Sequence, residues 1–319
     1  MAIKLGSTDI ADAKLGATQV GKICLGNTEV WNSAPAPAIK ALKFSSTGAQ
    51  TLGLNLTNLG SLTPNFEYSL DNGSTWTTWD VTTTISFGSG TDLYLRGSNN
   101  SISNNTNNVY TYVNFVFSTA SPVVCSGNVM HLYNYVTDLT AFPNNTASDV
   151  GLYGLFTDCT ALVTPPSLPA TTLKDRCYSR LFLGCSNLQS APDLPAMEVF
   201  SWGYSYMFSG CVNLTTPPAL PATTVNSSGY RNMFYGCTSL SSIPLVNADT
   251  QSSNFLESMF YGCTSIKMSE AQDAEYPNEY SFKFVPSGTR VRYMFSETGG
   301  TFTGTPSLQT YYTANTVIN

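Results

Sequence analysis

Apolar residues recur along the second half of the chain at a constant spacing of 26 positions. The repeated residues are cysteines and, three positions before each cysteine, phenylalanines: Cys159, Cys185, Cys211, Cys237, Cys263, Phe156, Phe182, Phe208, Phe234 and Phe260. Leucine or methionine, glycine and proline keep the same phase. Several residue classes repeating together indicate one supersecondary unit per 26 residues, stacked into a solenoid.

The pattern inside one repeat predicts a short helix, a turn and a short strand. In residues 228–237 the apolar side chains stand at helical spacing, and Gly236 stands where a helix commonly ends. Residues 238–246 have the pattern of an extended segment that ends near a proline. We therefore expect a parallel sheet along one face of the stack and helices along the other. Less regular copies at 130–143 and around 293–295 are expected to cap the ends.

Residues 39–122 predict a small β-sandwich. The stretch 66–76 alternates in polarity and then contains Asn72-Gly73, which is the strongest short-range signal for a hairpin with a type I′ turn. Further strands are predicted in 83–87, 92–97 and 109–118. In the last of these, one face carries Val109, Val113, Phe115 and Phe117. The polar stretch 98–108 is expected to be a loop.

The N-terminus contains a second, shorter repeat. "LGSTDI", "LGATQV" and "LGNTEV" recur every ten residues within 1–31, and each copy predicts two short strands around a glycine-containing turn. Ten residues cannot bury a core, so we expect an arm for attachment or oligomerisation. A flexible leader is the alternative. Residues 32–38 are predicted to be a Pro/Ala linker, and residues 299–319 a C-terminal tail.

Composition and charge narrow the classes of function. Only 11% of residues are charged, whereas 42% are hydrophobic and 12% aromatic, which is typical of β-rich proteins at extracellular or virion surfaces. The net charge is −6, and the sequence contains no basic cluster, so we expect no nucleic-acid partner. The first residues do not resemble a secretory signal, and no stretch approaches the roughly 20 apolar residues of a membrane span, so we expect no membrane insertion.

The repeated cysteines are expected to be buried, reduced thiols. Disulfides between repeats are disfavoured because equivalent side chains in stacked repeats point the same way and not toward each other. The chain has one histidine, His131, which cannot serve five equivalent cysteines as a base or provide mixed Cys/His metal sites. We expect a structural role for His131. A free cysteine then packs as a small hydrophobic residue.

The repeat pattern "MF-x-GC-x-x-L…P-x-LP" resembles the BspA-like leucine-rich repeats. The resemblance is strong over about 150–266 and weaker over 126–149 and 267–298, and it predicts a solenoid domain at 123–298. It implies adhesion or recognition at a surface and no catalysis. The chain departs from that family in having Met-Phe where relatives often have Ala-Phe, and in an additional "LPATT" segment.

Residues 69–76 fit the Asp-box pattern S-x-D-x-G-x-x-W, which marks a hairpin in many unrelated β-proteins. A single such box, without the arginine cluster of a sialidase, favours a structural role. The leader repeats, the β-domain and the BspA-like repeats together resemble virion surface proteins of tailed phages that infect gut Bacteroidales. The crAss-like phages, which carry head fibres, are the most similar group.

This resemblance implies a non-enzymatic virion surface protein, a head fibre or similar appendage. Its arm at 1–31 would dock on capsid or other virion proteins, and its solenoid would bind a host-surface glycan or protein. We expect a homo-oligomer, with a trimer as the first guess. The alternative is a bacterial cell-surface adhesin of the same repeat family.

No catalytic, cofactor-binding or metal-binding residue is predicted, and no cofactor. The acids of the repeat region are neither paired nor repeated in phase, so we interpret them as solvated surface charges: Asp158, Asp175, Asp193, Glu198, Asp249 and Glu257. Binding residues remain unknown, although we expect them on the strand-bearing face, at positions that vary between repeats. Tyr235 and Tyr261 occupy one such variable position, which makes them candidates for a binding surface. The alternative interpretation is that they are ordinary surface tyrosines.

Overall fold

The computed structural model describes most of the chain: residues 38–57, 62–143, 146, 148–248, 250–268 and 292–300, with the backbone of six short strands between residues 4 and 32. The predicted linker and C-terminal tail lie almost wholly outside these residues. The described chain is mainly β-structure, as the sequence predicts. It divides into two compact units, residues 1–39 and residues 40–319.

The first unit contains three separate antiparallel strand pairs: β1 (Lys4–Leu5) with β2 (Thr8–Asp9), β3 (Lys14–Leu15) with β4 (Thr18–Gln19), and β5 (Lys22–Leu25) with β6 (Thr28–Asn32). Each pair corresponds to one ten-residue repeat. The prediction of two short strands per repeat is therefore confirmed, while the turns between them lie outside the described residues.

The second unit begins with two antiparallel sheets. Their strands are β7 (Leu42–Ser46), β8 (Gln50–Thr57), β9 (Phe66–Ser69), β10 (Thr77–Thr78), β11 (Ile85–Phe87), β12 (Leu93–Gly97), β13 (Ser103–Thr106), β14 (Val109–Phe117) and β15 (Val123–Ser126). One sheet has the order β10-β9-β12-β7-β15 and the other β11-β8-β14-β13. The ring of Phe44 on β7 lies 5.8 Å from the rings of both Phe115 and Phe117 on β14. The two sheets thus share an aromatic core.

The predicted hairpin between β9 and β10 is confirmed, but its turn is longer than the two residues expected. The connection spans 70–76 and contains positive φ at both Asn72 (56°) and Gly73 (77°). Asp71 organises it, because its carboxylate accepts hydrogen bonds from the Thr75 amide at 2.9 Å and the Thr75 hydroxyl at 2.7 Å. These bonds hold the pKa of Asp71 down at about 2.

Two predictions for this region are wrong in part. Val113 and Phe115 are buried on one face of β14 as expected, but Val109 is 54% exposed because it lies at the end of the strand. The stretch 98–108 is not only a loop, since β13 forms within it and pairs with β14. Its backbone also bonds to the chain that follows the sandwich, where the Asn105 amide donates to the Ser148 carbonyl at 2.6 Å.

The sandwich continues directly into the repeats. A 3-10 helix (Val129–Leu132), the one helix within the described residues, follows β15, which also pairs in parallel with β16 (Leu162–Thr164). On the other sheet, the Phe115 amide donates to the Leu155 carbonyl at 2.8 Å, and the Phe115 ring lies 5.2 Å from that of Phe156. The sandwich therefore covers the N-terminal end of the repeats.

Short strands recur through the repeats: β17 (Glu198–Val199), β18 (Thr224–Val225), β19 (Thr250–Gln251), β20 (Lys267–Met268) and β21 (Gly299–Gly300). β17, β18 and β19 form a parallel sheet at equivalent positions of consecutive repeats. A parallel sheet was predicted, but in 238–246. That stretch contains no strand, and its one bridge joins Val246 to Leu220.

The predicted short helices are not formed. In their place each repeat has a run of hydrogen-bonded turns, here called a turn segment: 151–158, 175–184, 201–210, 227–236, 253–262 and 292–297. Alternate amides in a segment bond to a carbonyl three residues back, and the remaining amides bond to the next segment. For example, the Ser179 amide donates to Arg176 at 3.0 Å, whereas the Arg180 amide donates to Ser205 at 2.9 Å.

Backbone conformation explains why a helix is impossible here. Every fourth residue of a turn segment has positive φ, as at Arg176 (60°), Arg180 (58°) and Gly184 (72°). Left-handed residues at this spacing interrupt the i to i−4 bonding of a helix. A period of four residues is close to 3.6, so the turn segment buries Tyr230, Phe234 and Cys237 in a pattern that imitates a helix.

Candidate functional site

Stacked aromatic rings set the distance between consecutive turn segments. Within the described repeats the rings of Phe156, Phe182, Phe208 and Phe234 follow one another at centroid distances of 5.4, 5.7 and 5.6 Å. All four are buried. The phenylalanine ladder predicted from the 26-residue period is therefore confirmed, and it gives a rigid support for whatever the turn segments expose.

The cysteines line the same interior. The seven cysteines among the residues with described side chains are buried, free thiols. From Cys185 onward each repeat cysteine also donates a hydrogen bond to a phenylalanine carbonyl of the preceding repeat, as between Cys185 and Phe156 (3.0 Å) or Cys211 and Phe182 (3.2 Å), whereas Cys159 donates to Phe115 of β14. Burial raises the pKa of the Cys211 thiol well above its ordinary value. The thiols thus contribute a bond as well as the packing expected of them.

Left-handed residues recur along the turn segments, and the large ones among them are exposed or half-buried, whereas Ser228, Asn232 and Ser258 are buried. In the four segments from 175–184 to 253–262, two positions have φ between 53° and 60° and hold different side chains in different repeats: Arg176, Trp202, Ser228 and Asn254 at the first, and Arg180, Tyr206, Asn232 and Ser258 at the second. Asparagine tolerates this conformation well, whereas large side chains occupy it rarely. Arginine, tryptophan or tyrosine at these positions therefore carries backbone strain that Asn232 and Asn254 reduce at the equivalent positions.

The large side chains at these positions contact one another. The Arg180 guanidinium lies 5.4 Å from the centre of the Tyr206 ring, and Arg176 lies 6.0 Å from the Trp202 ring. Arg231, from the following repeat, lies 5.3 Å from the centre of the Trp202 ring. We call these five residues the arginine–aromatic face. Cation–π attraction at these distances keeps guanidinium groups and ring faces interleaved at the surface.

The face continues toward the sandwich. Arg180 also lies 5.9 Å from the ring of Tyr153, which stacks on Tyr110 of β14 at 4.6 Å. Burial raises the pKa of Tyr153 to about 12, and the charges of Arg180 and Arg176 oppose this shift. The charges of both arginines therefore act on the Tyr153 hydroxyl group.

The arginine–aromatic face itself contains three arginines and no acidic residue. Among the described residues, the acid that forms an ion pair with it is Glu257, whose carboxylate lies 2.7 Å from Arg292 and 3.5 Å from Arg231. Glu257 is only 3% exposed, so its interpretation as a solvated charge is wrong: two arginines compensate its burial. Among the described residues, no acidic side chain forms an ion pair with Arg176 or Arg180. Two guanidinium groups thus remain available to a ligand.

The candidates named from the sequence lie elsewhere. Tyr235 and Tyr261 stack on each other at 4.7 Å with rings 1° from parallel, and Tyr235 is 39% exposed. A hydrogen bond to Glu297 raises the pKa of Tyr261 to about 12. His131 is buried, with its Nε2 atom 2.8 Å from Asp138. These contacts fit a surface tyrosine pair and a structural histidine.

The other acids named from the sequence are scattered. Asp158, Asp175, Asp193 and Glu198 are exposed, and Asp249 lies outside the described residues. Asp175 accepts a hydrogen bond from the Ser201 amide at 3.1 Å, and Glu198 accepts one from Asn226 at 3.3 Å. The structure does not bring them together. No cluster of three potential metal ligands occurs in the part of the chain that is described.

Two grooves lie between repeats, on their proline-rich segments. One of about 640 Å³ is lined by residues including Pro165, Pro166, Pro192 and Pro195. The equivalent groove two repeats later measures about 400 Å³ and is lined by Pro217, Pro218, Pro221 and Pro244. Both are open and mainly apolar, and they carry few polar groups that could orient a ligand. The arginine–aromatic face is therefore the stronger candidate.

Sequence reasoning missed the arginine–aromatic face because it followed the residues that repeat. The signal was nevertheless present: Arg176 and Trp202, like Arg180 and Tyr206, are 26 positions apart, and four of the five arginines that the structure describes lie in turn segments.

No helix in the described residues is both long enough and apolar enough to cross a bilayer. Comparison of the chain with protein-family models, curated proteins and solved structures finds no match.

Proposed function

We propose that this chain is a non-enzymatic adhesion protein whose repeats form a BspA-like leucine-rich-repeat solenoid. The solenoid presents the arginine–aromatic face to a ligand on a host surface. One observation carries this proposal: large side chains occupy both left-handed positions in two consecutive repeats, where Ser228, Asn232, Asn254 and Ser258 occupy them in the next two.

Strain of this kind is maintained where it serves a function. A chain selected only for a stable stack has asparagine available at both positions, as Asn232 and Asn254 in its own later repeats demonstrate. Arginine, tryptophan and tyrosine are also the residues that contribute most to binding at protein surfaces. A rigid ladder below and a strained, chemically rich surface above are the arrangement of a recognition site.

The rest of the chain fits a virion appendage. We propose that the N-terminal unit docks on capsid or other virion proteins, that the sandwich acts as a spacer, and that the protein is a head fibre or similar appendage in a homo-oligomer. The separate compact unit of three strand pairs supports an attachment role for residues 1–39. Many copies on one particle multiply a weak affinity for the host.

Binding to host cells tests the adhesive role. Fluorescently labelled full-length chain is expected to bind gut Bacteroidales cells in flow cytometry, and the double variant Arg180→Asn/Tyr206→Asn to lose that binding. The matched control is Tyr235→Ser, which copies Ser209 from the equivalent position and lies outside the face. Equal binding by the double variant and the wild type would overturn the role assigned to the face.

Immunogold electron microscopy of purified phage particles tests the location, with an antibody raised against residues 125–298. Label at the periphery of the particle supports a virion appendage, and its position distinguishes head from tail. Label on host cells with none on particles would replace this proposal with the bacterial adhesin.

A further inference from the structure

We propose that the ligand of the arginine–aromatic face is an acidic glycan, a chain of sugars that carries carboxylate or sulfate groups. This inference rests on the adhesive function proposed above and names the chemistry of its ligand. It requires three properties of the face: ring surfaces for sugars, cations for their acidic groups, and a spacing that suits a polymer.

The rings of Trp202 and Tyr206 supply the first property. Both side chains are half-buried, so each is held in place and still presents part of its surface to solvent. One face of a pyranose ring consists of C–H groups, which pack on an aromatic ring while the hydroxyl groups remain in water. An aromatic side chain binds in this way with little loss of conformational freedom.

The guanidinium groups supply the second property. Arg180 is exposed and Arg176 is half-buried, and neither forms an ion pair within the described part of the chain. A guanidinium group binds a carboxylate or a sulfate through two parallel N–H donors, which fixes the orientation of the anion. Arginines are concentrated at this face although the whole chain has a net charge of −6, which supports a role for their positive charge in binding an anion.

The geometry of the stack supplies the third property. Arg176 and Trp202 occupy equivalent positions in consecutive repeats, as do Arg180 and Tyr206. Consecutive repeats are separated by the ring spacing of the phenylalanine ladder, 5.4 to 5.7 Å. This distance is close to the advance of one sugar residue along an extended glycan. A linear glycan laid along the stack can therefore offer a sugar face and an acidic group to successive repeats.

A nucleic acid combines aromatic stacking with anionic groups too, but it suits this face less well. Single-stranded nucleic acids bind along positively charged grooves that follow the backbone over several nucleotides. Here the described excess of positive charge is confined to a few arginines, and the whole chain is acidic. We therefore assign the face to an acidic glycan and use single-stranded DNA as the competing ligand in the test.

Dextran derivatives provide a test in which one sugar backbone carries different groups. The full-length chain is immobilised, and binding of neutral dextran, carboxymethyl-dextran and dextran sulfate is measured by biolayer interferometry at several salt concentrations. We expect no binding of dextran and salt-dependent binding of at least one acidic derivative. The derivative that binds more tightly distinguishes a carboxylated from a sulfated natural ligand.

Variants locate the binding on the face. Arg180→Asn and Arg176→Ser copy residues that the chain uses at the same positions of other repeats, and each should weaken binding about tenfold or more, the loss expected for one charge-assisted contact. Lys43→Gln removes the same charge from the sandwich and should leave the affinity within about twofold. An equal loss in Lys43→Gln would mean that only net charge matters, which contradicts a built site.

Three further results would overturn the inference: equal binding of neutral and acidic dextrans, no binding of either acidic derivative, or tighter binding of single-stranded oligo(dT) than of both. If the chain binds host cells through the face and yet ignores acidic dextrans, the ligand assignment fails while the adhesive function stands. If it binds neither cells nor glycans, the proposed function fails as well.

Discussion

Two pairs of turn segments in this protein have nearly the same backbone and different surfaces. Segments 175–184 and 201–210 hold arginine, tryptophan or tyrosine at their left-handed positions, whereas segments 227–236 and 253–262 hold serine or asparagine. Below that surface both pairs have the same buried phenylalanine ladder and the same thiol bonds. Different residues of one repeat therefore serve stability and recognition. The buried phenylalanine and thiol are the same in all four repeats, whereas the residues at the left-handed positions differ.

The comparison also shows how to interpret strain in a repeat protein. In a single-copy fold, a strained residue has no internal reference. Here, Asn232 shows which residue relieves the strain at the position of Arg180 and Tyr206, in the same backbone. A repeat thus serves as its own control.

The largest expected effect belongs to the shared interior. Phe208→Ala and Phe234→Ala remove rings that are fully buried in the two differing regions. Each should lower the free energy of unfolding by about 3–5 kcal/mol, because it leaves a cavity in a stacked core. Urea unfolding followed by circular dichroism measures both. If only one of the two variants lost less than about 1 kcal/mol in free energy of unfolding, the interiors of the two regions would not be equivalent.

Exchange of residues between the regions should have the next largest effect. Asn232→Arg puts a large residue at φ 55° and should cost about 1–2 kcal/mol, whereas Arg180→Asn, at φ 58°, should raise stability by roughly half that amount or more. Urea midpoints give both values. Arg231→Asn is the control, because Arg231 has ordinary φ and its replacement should bring no gain. Destabilisation by Arg180→Asn would contradict the strain on which the proposed function rests.

The thiols test whether the interior depends on more than aromatic packing. Cys211→Ala removes one small buried group and its hydrogen bond to the Phe182 carbonyl, so we expect a loss of about 1 kcal/mol. Cys237→Ala, in the other region, should cost about the same, because its bond to Phe208 has similar geometry. If either loss equals that of Phe208→Ala, the thiols are more important than their packing indicates.

Acid is expected to weaken the Asp-box hairpin of the sandwich, which lies outside both regions. The pKa of Asp71 is lowered to about 2 in the folded protein, so its hydrogen bonds stabilise the hairpin above the unfolded pKa of about 3.9 and lose this effect as the pH falls toward 2. Asp71→Asn should remove that pH dependence, whereas Asp80→Asn serves as a control on a nearby turn. Hydrogen exchange of the Thr75 amide between pH 2 and pH 5 measures it.

The sequence predicts the interior of the repeats well because burial leaves a periodic record. Phe208 and Cys211 recur every 26 residues since every repeat needs the same groups at the same depth. The prediction of short helices was wrong for a physical reason. A left-handed residue at every fourth position gives a turn segment nearly the periodicity of a helix, so the spacing of apolar residues alone does not distinguish a turn segment from a helix. Non-glycine residues at positive φ, such as Tyr206, leave no compositional signal.

The candidate site was harder to predict, because it consists of departures from the repeat. Arg176 and Trp202 differ from each other and from Ser228, so a search for recurring residues passes over them. Their contact becomes evident only when the ladder brings consecutive repeats together. The Asp-box hairpin shows the opposite case, in which local hydrogen bonds around Asp71 allow a sequence motif to predict a structure within ten residues.

The hydrogen bonds between turn segments align peptide dipoles along the axis of the stack. The carbonyl of Ser201 accepts from the preceding segment while the adjoining amide of Trp202 donates to the following one, and alternate peptide groups repeat this orientation. Their dipoles add instead of cancelling as they do in an ordinary sheet. Negative ends of these dipoles face the sandwich, where β14 supplies a donor, and positive ends point out of the last described segment, where the acidic residue Glu297 stands.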